Sequence, residues 1–110
     1  MGLFGFFGKP WLRRDYSEKA FTLGLSYLLR RLDPRDRKKV EMQEDERKRA
    51  WQQKKVDAVL KDKRKMRQAV RLVLHEKKEQ FRIDDGVSRL IAHGQRGDGK
   101  IKAYVRVGDW

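Results

Sequence analysis

Apolar side chains recur with helical spacing through the middle of the chain. Val56, Val59, Leu60, Met66, Val70, Val73 and Leu74 fall within about 140° of arc when each residue turns by about 100°. Arg47, Lys54, Lys61 and Lys65 lie almost opposite that arc. Upstream, from Arg35 to Arg49, only Val40 and Met42 are apolar, and the charges come in blocks. Basic residues (Arg35, Arg37, Lys38, Lys39) precede acidic ones (Glu41, Glu44, Asp45, Glu46), and basic residues follow again (Arg47, Lys48, Arg49). Pairs such as Glu44 and Lys48 support a helix at i, i+4. Neither proline nor glycine interrupts the 51 residues from Arg35 to Asp85. The pattern therefore predicts one long basic helix over 34–82, with Asp33 as N-cap and Pro34 at the first helical position. Such a helix would be about 70 Å long at about 1.5 Å per residue. Glu46 and Lys61 mark places where it could break, although no residue type there demands a break.

The flanks read differently. Residues 1–14 form an aromatic, basic arm, with Phe4, Phe6, Phe7 and Trp11 spaced by glycines at 2, 5 and 8. Dense glycine opposes a free helix, and so apolar an arm needs a protein groove or a membrane surface to cover it. Residues 15–33 read as a short amphipathic helix, opened by Asp15 with Glu18 three residues on. Its apolar face is Phe21, Leu25, Leu28, Leu29 and Leu32. Residues 84–110 form a C-terminal turn and strand segment. Ile101, Ala103, Val105 and Val107 alternate with Lys102, Tyr104 and Arg106, which predicts a strand at 101–107. A lone strand needs a partner, either residues 87–93 or the sheet of another protein. Residues 87–93 themselves fit a helical turn or a strand. The expected fold class is thus mainly α, extended and non-globular, with a small C-terminal α/β tip.

Charge sharpens this picture. The net charge is +13 over 110 residues, and residues 35–82 alone carry 18 basic and 9 acidic side chains. A surface of this kind favours polyanions. There are no cysteines, which removes disulfides, zinc–thiolate sites and cysteine nucleophiles. No apolar run approaches the roughly 20 residues of a membrane-spanning helix. Met1 to Arg14 has three basic residues and no acid, the bias of an organelle import signal.

Candidate chemistry is sparse. His75 and His93 show no metal-ligand spacing. Arg96-Gly97-Asp98 reads as a turn, with Gly97 and Gly99 supplying positive φ. Gly99-Lys100 lacks the spacing of a phosphate-binding loop. Nucleophile–base sets and paired catalytic carboxylates are missing, so no enzyme, cofactor or metal is expected. The dense basic cluster Lys61, Lys63, Arg64, Lys65, Arg67 and Arg71 contains one acid, Asp62. Phosphate contact is assigned to Arg47, Lys54, Lys61, Arg64, Lys65, Arg67 and Arg71. Protein contact is assigned to Phe4, Phe6, Phe7, Trp11, Trp51, Val56, Val59, Met66, Val70 and Val73.

The layout is similar in kind to small accessory proteins of ribosomes, organellar ones included, which carry long basic helices and extended arms. The expected role is a structural subunit of a ribonucleoprotein, foremost a mitochondrial ribosomal protein bridging rRNA and neighbouring proteins. The alternative is an accessory subunit of an inner-mitochondrial-membrane respiratory or ATP synthase complex, with residues 1–14 at the membrane surface. A cytoplasmic ribonucleoprotein is the other location. A homo-oligomer is not expected. The chain alone is expected to be helical but poorly packed.

Overall fold

The proline- and glycine-free run does not form one helix. In the computed structural model, which describes Tyr16 and residues 19–108, the run contains three helices and two strands. The elements in chain order are β1 (Phe21–Gly24), α1 (Leu25–Arg30), α2 (Pro34–Val40), α3 (Glu46–Lys61), α4 (Lys63–Arg67), β2 (Val70–His75), β3 (Gln80–Asp85), α5 (Val87–Arg96) and β4 (Lys100–Val107).

Each break has a local cause. Met42 adopts φ 54°, and α2 stops with two hydrogen bonds, Gln43 N to Lys38 O at 3.0 Å and Met42 N to Lys39 O at 3.1 Å. That is the bonding of a glycine-type helix stop, here built on a methionine. Asp45 then caps α3 by accepting from Lys48 N at 2.9 Å. Asp62 caps α4 by accepting from Arg64 N at 3.0 Å and Lys65 N at 3.3 Å. Asp45 and Asp62 are thus the residue types that demand breaks beside Glu46 and Lys61.

Beyond α4 the side chains alternate with period two. Val70, Leu72 and Leu74 face the core, and Phe81 and Ile83 lie beside them on β3. The reverse turn at Glu76–Glu79 closes with Glu79 at φ 54°. Val70, Val73 and Leu74 therefore belong to a strand, and the helical arc through them is coincidental.

The sheet order is β1-β4-β2-β3. β4 runs antiparallel to β1 and parallel to β2, and β3 is antiparallel to β2. The predicted strand at 101–107 is present as β4, but its partners are β1 and β2; residues 87–93 lie in α5. Residues 21–24 of the expected first helix are instead β1, and that helix is reduced to Leu25–Arg30. Asp15 and the arm over 1–14 lie outside the described residues.

Helix makes up 48% and strand 27% of the described residues, so the expectation of a mainly α chain is corrected to a mixed α and β fold. The longest dimension is 41 Å, far short of a 70 Å strut by the helical rise of about 1.5 Å per residue. The fold is a compact globule and not an extended one.

Two cores lie on one side of the sheet. The first joins the sheet to α1 and α5 through Leu25, Leu28, Leu32 and Leu90. The second joins α5 to α3 and α4 through Ile91 and Ala92 against Val56, Val59 and Met66. Helix α5 is thus the middle layer. On the opposite face of the sheet, Thr22, Arg71 and Lys102 are exposed, while Val73 and His75 are buried.

The outer edge of β3 is closed by the link between α1 and α2. Phe81 N donates to Arg31 O at 2.8 Å, and Asp33 N donates to Phe81 O at 2.7 Å. Ile83 N donates to the Asp36 carboxylate at 2.8 Å, which also accepts from Arg82 Nε at 3.3 Å. A carboxylate only 2% exposed thereby satisfies a strand edge that would otherwise invite pairing.

Candidate nucleic-acid interface

The helix α3 presents two different flanks to solvent. Arg47, Lys54 and Lys61 are spaced by seven residues, so they form one stripe, about 21 Å long at about 1.5 Å per residue. They lie opposite Val56, which packs against α5. Arg64, Lys65 and Arg67 lie on α4, which begins two residues after Lys61. All six side chains are exposed, and none makes an ion pair among the described residues.

Elsewhere, among the described residues, five carboxylates pair with arginines. Arg35 pairs with Asp33 at 3.0 Å, Arg37 with Glu41 at 3.0 Å, Arg82 with Asp36 at 3.3 Å, Arg89 with Asp85 at 2.8 Å and Arg96 with Asp98 at 2.7 Å. Within the basic stretch, Asp45 and Asp62 accept from backbone N–H groups, and Asp57 accepts from Gln53 at 2.8 Å. Asp45, Asp57 and Asp62 are thus taken up in caps or by an amide, while Glu46 in the first turn of α3 is exposed.

The second flank of α3 borders a cleft of about 710 Å³. Lys48 and Lys55 sit on it, three before and four after Trp51, which is 59% exposed. The Lys55 ammonium lies 3.5 Å from the Trp51 ring centroid, a cation–π contact. Lys65 and Gln68 form one wall, and Asp84, Asp85 and the start of α5 form the other. The floor is braced by Gln52 donating to Ser88 Oγ at 2.8 Å. Arg89 bonds Asp85, and Asp84 accepts from the Tyr16 hydroxyl, while Glu44 lines the same cleft.

Short helix α4 is the ridge between this cleft and a neighbour. Lys65 lines the first cleft, Arg67 lines the second, and Gln68 lines both. Cations thus border both clefts, Lys48, Lys55 and Lys65 the first and Arg67, Lys100 and Lys102 the second.

The fold places the sequence-derived residues unequally. Arg47, Lys54, Lys61, Arg64, Lys65 and Arg67 come together on the α3–α4 ridge. Arg71 stands apart on the opposite face of the sheet, its guanidinium 5.3 Å from the Tyr16 ring. Val56, Val59 and Met66 are consumed in the second core and Val70 in the first, so these side chains pack within the chain. Val73 is 7% exposed, and Trp51 alone of the described apolar set is open to solvent. Phe4, Phe6, Phe7 and Trp11 lie outside the described residues. Sequence reading missed Lys48, Lys55, Lys100 and Lys102. The signal for the first pair was their spacing around Trp51, and for the second their outward alternation in β4.

No protein-family model, curated protein or solved structure matches this chain.

Proposed function

We propose that this protein binds RNA through its phosphate backbone, as a structural subunit of a ribonucleoprotein. One observation carries the reading. Six exposed cations on α3 and α4 have no carboxylate partner among the described residues, while Arg35, Arg37, Arg82, Arg89 and Arg96 each have one. Like charges held together without counter-charges repel one another, and a polyanion relieves that repulsion while releasing its own counterions. Lysines and arginines on a convex ridge suit phosphates rather than base edges. The exposed Trp51 beside Lys55 offers a stacking surface for an unpaired base at the rim.

The compact fold changes the expected role from a strut to a domain that seats one basic side on RNA. A mitochondrial ribosome is the assembly proposed, on the acid-poor, basic composition of Met1 to Arg14.

The test is a salt titration of RNA affinity. Replacing Arg47, Lys54, Lys61 and Arg64 together by Gln leaves the cores untouched. It should lower the dependence of log K on log salt by up to about 3, at about 0.7 per single-strand phosphate contact. An unchanged slope would remove the ridge from RNA binding.

A further inference from the structure

A second cleft, of about 570 Å³, lies between the end of α4, the end of α5 and the start of β4. Arg67, Arg96, Lys100 and Lys102 line it, and Asp98 is its one carboxylate. Asp98 is already engaged, at 2.7 Å from Arg96 Nη2 and 2.7 Å from His93 Nδ1. Arg67 of α4 and the outward-facing Lys100 and Lys102 of β4 thus border one concavity, with no ion pair among the described residues.

His93 adds a directional group. It is 8% exposed and lines the same cleft. Its Nδ1 is held by Asp98, and its Nε2 has no partner among the described residues. No fully buried side-chain nitrogen or oxygen among those residues lacks a hydrogen bond. The Nε2 of His93 therefore meets solvent, at the cleft that the ring lines. The Asp98 contact fixes the ring, so that its free nitrogen is held in one direction.

We propose that this cleft is a seat for a nucleotide phosphate. Arg67, Lys100 and Lys102 supply the charge, His93 Nε2 supplies an oriented acceptor for a phosphate or ribose hydroxyl while Nδ1–H donates to Asp98, and Asp98 with Arg96 holds His93 in place. The volume falls within the range of about 300–1,000 Å³ of small-molecule sites and leaves room for a nucleoside beside the phosphate. That the phosphate belongs to RNA rests on the function proposed above; the seat itself does not.

The chain has two histidines, which makes nuclear magnetic resonance of the imidazoles a direct readout. The full-length protein is titrated with uridine 5′-monophosphate, inorganic phosphate and uridine. The monophosphate should shift the His93 ring signals and leave those of His75 in place. Inorganic phosphate should do so more weakly and uridine not at all. Replacing Lys100 and Lys102 by Gln should weaken the monophosphate about tenfold or more, the scale of one lost charge-assisted hydrogen bond. Unmoved His75 signals in that variant establish that the fold is intact. A 5′-phosphorylated RNA oligomer that outcompetes its 5′-hydroxyl counterpart assigns the seat to a strand end, and equal competition assigns it to an internal phosphate.

Failure is separable from that of the RNA reading. If RNA binds with a steep salt slope and the monophosphate leaves His93 unmoved, the seat is overturned and the ridge stands. If the monophosphate shifts His93 but RNA does not bind, the RNA reading falls and a mononucleotide site remains. Equal shifts with uridine and its monophosphate would also overturn the seat.

Discussion

Asp33 combines two tasks within three residues. Its carboxylate caps α2 by accepting from Arg35 N at 3.0 Å, and it pairs with Arg35 Nε at 3.0 Å. The Arg35 guanidinium is the main reason its pKa lies at about 2 instead of 3.8, with burial acting the other way. The folded state therefore binds fewer protons than the unfolded state. Its contribution is complete above about pH 3.8 and is lost as pH falls toward 2. The Arg35 side chain is 62% exposed, so screening reduces that contribution to about 1 kcal/mol. Asparagine caps a helix as well as aspartate does, so Asp33→Asn isolates the charge. The variant should be less stable by about 1 kcal/mol near neutral pH, and urea midpoints should converge with wild type as the pH falls through the same window. A gap that persists at the acid end would trace the loss to the cap. Other single residues decide the fold with less warning. Met42 and Glu79 both stand at φ 54°, where glycine or asparagine would have announced a turn. Gly97, at φ 81° after α5, performs the same stop and was legible.

Helix α3 is the outermost layer and contributes no side chain to the core between sheet and helices. It is held to α5 by Val56 and Val59 and by polar links, Gln52 to Ser88 at 2.8 Å and Gln95 to Gln53 at 2.9 Å. An element with so narrow a buried face opens on its own before the molecule unfolds. Its amides should exchange at a lower free energy than those of β2 and β4. Val56→Ala removes a fully buried side chain from that face, at a cost of about 2 kcal/mol. Exchange along α3 should quicken by the matching factor, with the central strands little changed below global unfolding. Equal acceleration in β2 and β4 would show that α3 and the sheet open as one unit. This layering also explains what was readable beforehand. Strand β4 declared itself because charged and apolar residues alternate strictly on it. Strand β2 did not, because it is buried on both faces at Leu72, Val73 and Leu74, and such a run also satisfies a helical arc. The cations of the ridge were legible as charge. The clefts were not, since they exist only because α4 folds back between α3 and β4.

At the scale of the whole molecule, charge acts on folding and on binding in opposite senses. The chain has two packed cores, a closed outer edge on β3 and, among its described residues, no fully buried side-chain polar atom without a partner. It has what a small domain needs to unfold in a single cooperative transition, against the expectation of a poorly packed chain. Its burden is a net charge of +13, with the surplus gathered where carboxylates are committed to helix caps. Self-repulsion of this kind destabilises the compact state and is screened by salt over about 10 Å at about 0.1 M. Raising salt from about 50 to about 200 mM should therefore raise the urea midpoint of the free protein while weakening RNA binding. Replacing Arg47, Lys54, Lys61 and Arg64 by Gln should flatten both dependences together, because the same unpaired cations produce both. Paired urea titrations and binding isotherms on wild type and variant, across one salt series, test the coupling. A midpoint that falls with salt would mean that the ion pairs of Asp33, Asp36, Asp85 and Asp98 outweigh the ridge. The repulsion invoked for RNA recruitment would then have no energetic footprint.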